Sequence, residues 1–227
     1  MKIRNKNIKK IISLVAIIGL ITMGGYWFFE PTLINAADAP DIITVTQGVT
    51  QEITISHPAD VTMSATIPGV TGNPGVPRTG STLWQVKTTN AAGFILKLNA
   101  GVAPAMVLDG TYHFDDYSPA GAVPDYAWAS PAGGEAEFGF TVEAETIGDE
   151  VLAFRDAGAA PCGAGALNTA DTCWWNFTAL DYTVINRATN TDSGGEDETV
   201  KFQTESNAKF LKEGSYVATI TATATEN

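Results

Sequence analysis

The sequence predicts an all-β protein, an antiparallel two-sheet β-sandwich or jelly roll with one short helix. Apolar and polar residues alternate with a period of two along much of the chain after residue 41, which is typical of half-buried antiparallel strands. Clusters of Gly, Pro, Asn and Ser separate these alternating runs and supply turns. No internal repeat or linker-like segment divides the chain, so a single domain of about 190 residues is expected.

The predicted strands follow the alternating runs. The first run covers residues 43–46, and further runs follow at residues 61–67, 94–98, 138–143 and 216–224. Thr occupies the polar phase of several runs, because its β-branched side chain suits a pleated surface that faces solvent. In the run 138–143 we expect the apolar face to be buried and the face with Thr141 and Glu143 to be solvated.

One segment, residues 146–157, departs from this alternation. Val151, Leu152 and Phe154 recur there at helical spacing, and Thr146 is a suitable N-cap. The sequence therefore predicts a short helix in this connection, packed against one end of the sandwich through Phe154.

The first 36 residues are expected to direct export rather than to join the fold. Five basic residues and no acid stand within residues 1–10, and an apolar run follows at residues 11–23. The uncharged stretch 11–29 is about as long as the roughly 20 residues that cross a bilayer as a helix. A signal peptide cleaved near Ala36 and an uncleaved N-terminal membrane anchor both fit. Each leaves residues 37–227 as an extracellular domain, which meets a membrane only through an uncleaved anchor.

The exported body is strongly acidic. The whole chain has 13 basic and 25 acidic residues and a formal charge of −12, and removal of residues 1–36 leaves eight basic and 24 acidic residues. Nucleic acid is not expected as a partner, because binding to phosphates relies on Lys and Arg. Such a charge favours solubility, and carboxylate oxygens suit hard cations such as Ca²⁺.

Cys162 and Cys173 are the only cysteines, and they stand eleven residues apart in a loop rich in Gly and Ala. An exported protein folds in an oxidising compartment, so we expect a disulfide between them. Closing so short a loop constrains the unfolded chain and is expected to stabilise the fold by about 2.5–3 kcal/mol. No histidine stands beside them in the sequence to complete a zinc site or to activate a catalytic thiol.

Side chains suited to catalysis are scarce, and we expect a non-enzyme. His57 and His113 are the only histidines, and neither occurs in a nucleophile-elbow or HExxH context. Glu143 and Glu145 project from one face of a predicted strand about 7 Å apart, a separation that inverting glycosidases use. That face is expected to be solvated, which favours two ordinary surface acids over a catalytic pair.

Two acidic loops are candidates for a Ca²⁺ site, and no other cofactor is expected. The first cluster lies around Ser193-Gly194-Gly195 and consists of Asn190, Asp192, Glu196, Asp197 and Glu198. Asp192, Glu196 and Asp197 are its candidate metal ligands. The second cluster consists of Asp115, Asp116 and Asp125. Oxygen donors beside Gly are compatible with a calcium loop, although the spacing does not match an EF-hand. The alternative interpretation is a charged turn that keeps a hairpin soluble.

Trp128 and Trp174 are the candidate ligand-binding residues. Small residues precede both, so we expect their indoles to be exposed, and an exposed indole can stack on the apolar face of a sugar ring. Trp84 and Trp175 instead fall on apolar phases of the alternation, so we expect them in the core.

Four Thr-rich or strand-like segments carry a family resemblance. They read Ile-Thr-Val-Thr at 43–46, Val-Thr-Met-Ser at 61–64, Trp-Gln-Val-Lys-Thr-Thr at 84–89 and Gly-Ser-Tyr-Val-Ala-Thr-Ile-Thr at 214–221. Together they resemble a loosely defined group of secreted bacterial cell-surface β-sandwich proteins, over most of residues 41–227. The resemblance implies an extracellular β-sandwich, and it brings no catalytic residues with it.

The main functional expectation is a non-enzymatic secreted or cell-surface structural or adhesion protein. Its specific form is an appendage subunit, of a pilus or fibre, in which residues 41–56 or the C-terminal strand complete a sheet edge of a neighbouring copy. Partners would be further copies of the chain, or glycans or proteins outside the cell. The alternatives are a carbohydrate-binding module, with or without Ca²⁺, and a secreted hydrolase using carboxylates such as Glu143 and Glu145.

Overall fold

The computed structural model describes residues 44–227, and the unit discussed below spans residues 49–227. It confirms the predicted all-β sandwich, with ten strands in two sheets. The expected signal or anchor at residues 1–36 and the first residue of the predicted opening strand, Ile43, lie outside the described residues. Within residues 44–227, no helix is long and apolar enough to cross a membrane.

Seven strands form a strongly curled large sheet and three form a small one. In chain order the strands are β1 (Ile53–Ile55), β2 (Arg78–Thr88), β3 (Phe94–Ala100), β4 (Met106–Val107), β5 (His113–Asp116), β6 (Glu135–Glu143), β7 (Tyr182–Arg187), β8 (Glu196–Asn207), β9 (Val217–Ala218) and β10 (Ile220–Glu226). The large sheet has the order β1-β2-β8-β6-β5-β4-β9, and the small sheet has the order β10-β3-β7. Only β5 and β6 pair in parallel; the other neighbours are antiparallel.

The core lies between the two sheets. β8 is flanked by β2 and β6, and its inward residues Val200 and Phe202 lie opposite Val142 and Phe140 of β6. Along β3 every second residue is buried, which confirms the strand predicted at residues 94–98. Burial of these large apolar side chains is the main source of stability for such a sandwich.

The C-terminal run is also confirmed, and it joins the two sheets. β9 pairs with β4 at the end of the large sheet, and β10 pairs with β3 in the small sheet. The chain changes sheets at Thr219, between the two strands. Along β10 half-buried residues alternate with exposed threonines, as the period of two predicts.

The strand predicted at residues 61–67 is wrong, although its burial pattern is as expected. Val61, Met63 and Ile67 pack against the core, but these residues form no strand. Within the segment, Ser64 donates a backbone hydrogen bond to Thr79 of β2. Ala65 then has a positive φ of 58°, which turns the chain away from the extended path that a ladder needs. Residues 44–46 of the predicted opening strand likewise form no strand, and β1 begins at Ile53.

The helix predicted at residues 146–157 is wrong as well. Only one 3₁₀ turn forms, over Leu152–Phe154, because the backbone before it pairs with β7 instead: Val151 donates its N–H to Val184, and Asn186 donates to Asp149. Thr146 does not cap a helix, since its hydroxyl donates to a carboxylate oxygen of Glu196. Phe154 is buried, as predicted for this connection.

Candidate functional site

The predicted disulfide between Cys162 and Cys173 is present. Its sulfurs lie 2.01 Å apart, the two Cα atoms lie 5.7 Å apart, and both residues are buried. The bond fixes the start of the segment 172–177, which pairs with β6 through reciprocal backbone hydrogen bonds between Phe140 and Trp175. The disulfide therefore anchors a segment that pairs with the edge of β6. Together with Tyr117 and Trp128, which lie against Gly139, this segment forms a third layer on the outer face of the large sheet.

This third layer covers the face of β6 that the alternation predicts to be solvated. Thr141 is buried and donates its hydroxyl hydrogen bond to the carbonyl of Thr172. At Gly139, a Cβ atom would lie only 2.7 Å from Cβ of Tyr117 and 2.8 Å from the carbonyl oxygen of Trp175. Glycine is therefore required at this position by the close approach of the covering segments.

The two candidate ligand-binding tryptophans belong to this layer. Trp174 is 2% exposed and donates its indole N–H to the carbonyl of Asp171, so the expectation that it is exposed is wrong. Trp128 is half-buried, stacks on Tyr117 at 4.3 Å between ring centroids, and donates to Glu205. The structure brings the two indoles together at 5.5 Å, edge to face. Their surfaces are used for packing, and Trp174 presents no platform for a sugar.

The other two tryptophans lie largely as expected. Trp84 is buried in the core, and Trp175 is half-buried and packs against it.

The three carboxylates of the candidate Ca²⁺ loop point to separate partners. Asp192 accepts hydrogen bonds from the backbone of Gly194 and Gly195, which makes it a turn-forming residue. Glu196 is buried and pairs with Arg187 at 3.0 Å. Asp197 accepts a hydrogen bond from the side-chain amide of Gln85. Among residues 44–227, no three His, Cys, Asp or Glu side chains are arranged to hold a metal ion.

The other candidate acids are also engaged separately. Asp115 pairs with Lys209 at 2.6 Å and lies 3.2 Å from the His113 ring. Asp125 accepts the hydroxyl hydrogen bond of Tyr117. In the same way Asp116 accepts from the backbone of Ala105, Glu143 pairs with Lys201, and Glu145 accepts from the backbone of Asp197. His57 is exposed just after β1.

Glu198, which the sequence places in the acidic cluster of residues 190–198, lies instead in a strand, on the inner face of the large sheet. Glu198 of β8 lies opposite Trp84 and is 0% exposed, and neither of its carboxyl oxygens has a hydrogen-bond partner among residues 44–227. Burial first, and then the charges of Asp149 and Glu196, raise its pKa to about 8 against the lowering effect of Arg187. The signal was present in the sequence, since Glu198 shares the phase of Val200 and Phe202.

A second pair of acids is covered by the third layer. Glu137 of β6 and Glu205 of β8 lie directly opposite each other, and both are buried. Glu205 accepts hydrogen bonds from Trp128 and from the backbone of Gly75. Burial raises the pKa of Glu137 to about 7, with a further contribution from the charge of Glu135.

The most distinctive surface feature is the free edge of β10. Its register places Thr219 opposite Gly101 and Asn227 opposite Gly93, and both of these pairs are hydrogen-bonded across the ladder. Because hydrogen-bonded and non-bonded pairs alternate in an antiparallel ladder, the odd-numbered residues of β10 bond to β3. The N–H and C=O groups of Ile220, Ala222, Ala224 and Glu226 therefore point to the opposite, free edge.

Within the described residues, no strand pairs with this free edge. β10 is the terminal strand of the small sheet, and β1 lies beside it without a backbone hydrogen bond between the two. The inward side chains along this side are half-buried rather than fully covered: Ile220, Ala222 and Ala224 of β10, and Ile55 of β1, which is 36% exposed. A strip of core residues thus reaches the surface beside unpaired backbone groups.

The other sheet edges differ from β10. The outer side of β7 is covered by residues 149–151, through the bonds from Val151 to Val184 and from Asn186 to Asp149. The remaining edge strands, β1 and β9, are only three and two residues long. β10 has seven residues in continuous register, with no Pro, no Lys and no bulge. Proline, lysine and bulges are features with which proteins usually protect a sheet edge, and β10 has none of them.

Comparison of the chain with protein-family models, curated proteins and solved structures finds no match. Its function is therefore inferred from its own residues and geometry.

Proposed function

We propose that the protein is a non-enzymatic, secreted or cell-surface structural protein that assembles with further copies of itself by strand addition at β10. The free edge of β10 is the observation that carries this proposal. Its outward backbone groups offer main-chain hydrogen bonds to an incoming strand, and the half-buried strip beside them offers alternate contacts for its side chains.

The character of this edge supports assembly over accidental exposure. A long, regular, uncharged edge strand promotes association of sheets, and natural proteins normally guard against it. The side of β7 is covered, whereas no strand among residues 44–227 pairs with the outer edge of β10 over its seven residues. In the three-stranded sheet, the edge at β7 is covered and no described strand covers the edge at β10, which is consistent with β10 being the edge that pairs with another copy.

The rest of the molecule fits a role outside the cell. The disulfide suits an oxidising compartment, where such bonds persist. The acidic composition keeps copies apart in solution, since like charges repel until their spacing exceeds a Debye length of about 8 Å at physiological salt. Within β10 the only charged residue is Glu226, so a contact made along this edge meets little repulsion.

The proposal is tested by charging each face of β10 in turn. Ala222→Lys places an ammonium group on the inward strip, and Thr223→Lys places the same charge on the exposed face of the neighbouring residue. We expect the wild type to associate as its concentration rises. An inward charge on an edge opposes pairing, so Ala222→Lys should reduce the assembled fraction by about fivefold or more, whereas Thr223→Lys should match the wild type.

The measurement is sedimentation velocity of the full-length protein, in a mild detergent that keeps the apolar run 11–29 dispersed. Thermal unfolding checks that each variant is folded. If Ala222→Lys loses its fold, Ala224→Pro replaces it, because this proline removes an N–H from the free edge and none from the bonds to β3. A wild type that stays monomeric at every concentration, or equal assembly of both lysine variants, would contradict the proposal.

A further inference from the structure

We propose that the strand accepted by β10 is the segment 44–51 of a second copy. The inference rests on the proposed function and names its partner. Residues 44–51 read Thr-Val-Thr-Gln-Gly-Val-Thr-Gln, lie just before β1, and form no strand in the described part of the chain. Val45 and Val49 are each 86% exposed there, which is unusual for large apolar side chains in a strand-like sequence.

The segment has the alternation of a strand that covers a core on one face. Its odd-numbered positions include Val45 and Val49 and continue in phase with Ile53 and Ile55, the inward residues of β1. Its even-numbered positions are three threonines and Gly48. This is the pattern of β10 itself, where apolar residues alternate with threonines. A strand of this kind buries one face only when it pairs with a sheet edge.

The two surfaces are complementary in size. Ala222 and Ala224 are small and half-buried, so a strand placed beside them can insert valine side chains against the strip. On the opposite face, threonines of the segment would lie beside Thr221, Thr223 and Thr225, and cross-strand pairs of threonines are favourable. The lengths also agree, since eight residues extend about 26 Å and the seven residues of β10 about 23 Å.

The two surfaces are also compatible in charge. Residues 44–51 contain no charged side chain, and Glu226 is the only one in β10. Two acidic bodies can therefore be joined here without bringing carboxylates together. At the base of the segment, the amide of Gln51 donates to Glu226 of the same molecule at 2.7 Å. In each copy, the C-terminal end of the segment 44–51 thus lies beside the β10 strand of the same copy. If every copy adds its segment to the β10 edge of the next copy, the result is a chain or a ring.

Disulfide trapping tests the inference residue by residue. Both native cysteines are bonded to each other, so an introduced cysteine is the only thiol. Full-length Ala224→Cys is mixed with single variants of the segment, under mild oxidation, and mixed dimers are counted by intact mass. Side chains on the same face of paired strands have Cβ atoms within about 5.5 Å, so we expect Val45→Cys, Gln47→Cys or Val49→Cys to form mixed dimers.

The matched controls are Thr46→Cys and Thr50→Cys, which lie in the same segment but face the other way. We expect their yield of mixed dimer to be about tenfold lower at the same exposure. Because residues 44–51 are exposed, none of these variants removes a buried contact. Folding of each is confirmed by its thermal unfolding profile.

Three outcomes would overturn the inference: equal trapping from both faces of the segment, no trapping from any position, or, in double variants such as Val49→Cys with Ala224→Cys, disulfides within a single copy only. If one of these occurs while Ala222→Lys still weakens assembly, the donor is a different segment and the proposed function stands. If Ala222→Lys has no effect either, both the function and the donor are refuted.

Discussion

At the scale of single residues, the buried acids are the least expected feature of this molecule. Glu198 is predicted in an acidic loop, but it shares the inward phase of Val200 and Phe202 and is buried. No group among residues 44–227 hydrogen-bonds to its carboxyl group, and its neighbours Asp149 and Arg187 come from distant parts of the chain, which alternation could not reveal. In the candidate Ca²⁺ loop, Asp192, Glu196 and Asp197 are close in sequence, but each binds a different partner.

Glu198 leads to a prediction about pH. Its pKa is about 8 in the fold against an ordinary value of 4.5, so the folded protein retains a proton that the unfolded chain releases between these values. Stability should therefore fall as pH rises from about 4.5 to about 8, by a few kcal/mol given about 1.36 kcal/mol for each unit of pKa shift. Glu137, with a pKa of about 7, adds a smaller effect of the same sign.

Chemical denaturation at pH 5, 6.5 and 8.5 measures this effect. Glu198→Gln removes the ionisable group, so we expect it to be more stable than the wild type at pH 8.5 and to show a flatter pH profile. The control is Glu213→Gln at an exposed position, which should keep the wild-type profile. A wild-type stability that rises between pH 5 and 8.5 would contradict this account of Glu198.

At the scale of elements, the sequence predicted strands well where alternation and pairing coincide. The runs at 94–98, 138–143 and 216–224 are strands. The run 61–67 keeps its inward apolar phase without a ladder, because burial follows the alternation of side chains while a strand also requires a partner and extended backbone angles. The helical spacing at residues 151–154 was misleading for a related reason. The backbone of residues 149–151 hydrogen-bonds to the outer side of β7, so it does not form a helical turn.

The covering of β6 is the element-scale feature that alternation could not predict. A polar phase of Gly and Thr indicates solvent, yet Tyr117, Trp128 and the segment 172–177 cover it. Gly139 in the centre of a strand was the available signal, because glycine weakens a strand unless another segment approaches closely.

Gly139→Ala tests this packing. The added Cβ would lie 2.8 Å from the carbonyl oxygen of Trp175. The backbone of Trp175 is held by its hydrogen bonds to Phe140, so it cannot move away without weakening them. We expect a loss of about 1–3 kcal/mol in the free energy of unfolding, measured by chemical denaturation. Gly133→Ala is the matched control, since no atom lies within 4 Å of its Cβ position. Equal stability of the two variants would mean that the third layer does not press on β6.

At the scale of the whole molecule, the two sheets differ in which of their edges are paired or covered within residues 44–227. The fold class was predicted from the sequence, whereas the free edge of β10 was not, since pairing of the C-terminal strand on one side only is a property of the topology. With the outer face covered and the side of β7 protected, β10 has the one long edge in the unit 49–227 to which no described strand is paired. We propose that copies of the protein assemble through that edge.

Amide hydrogen exchange along β10, resolved by residue, tests the claim most directly. In dispersed protein, the N–H groups of Thr221, Thr223 and Thr225 bond to β3 and should exchange slowly, whereas those of Ala222 and Ala224 point to the free edge and should exchange quickly. In assembled protein, we expect the amides of Ala222 and Ala224 to become as protected as their neighbours. If these two amides still exchange quickly after assembly, strand addition at β10 is refuted.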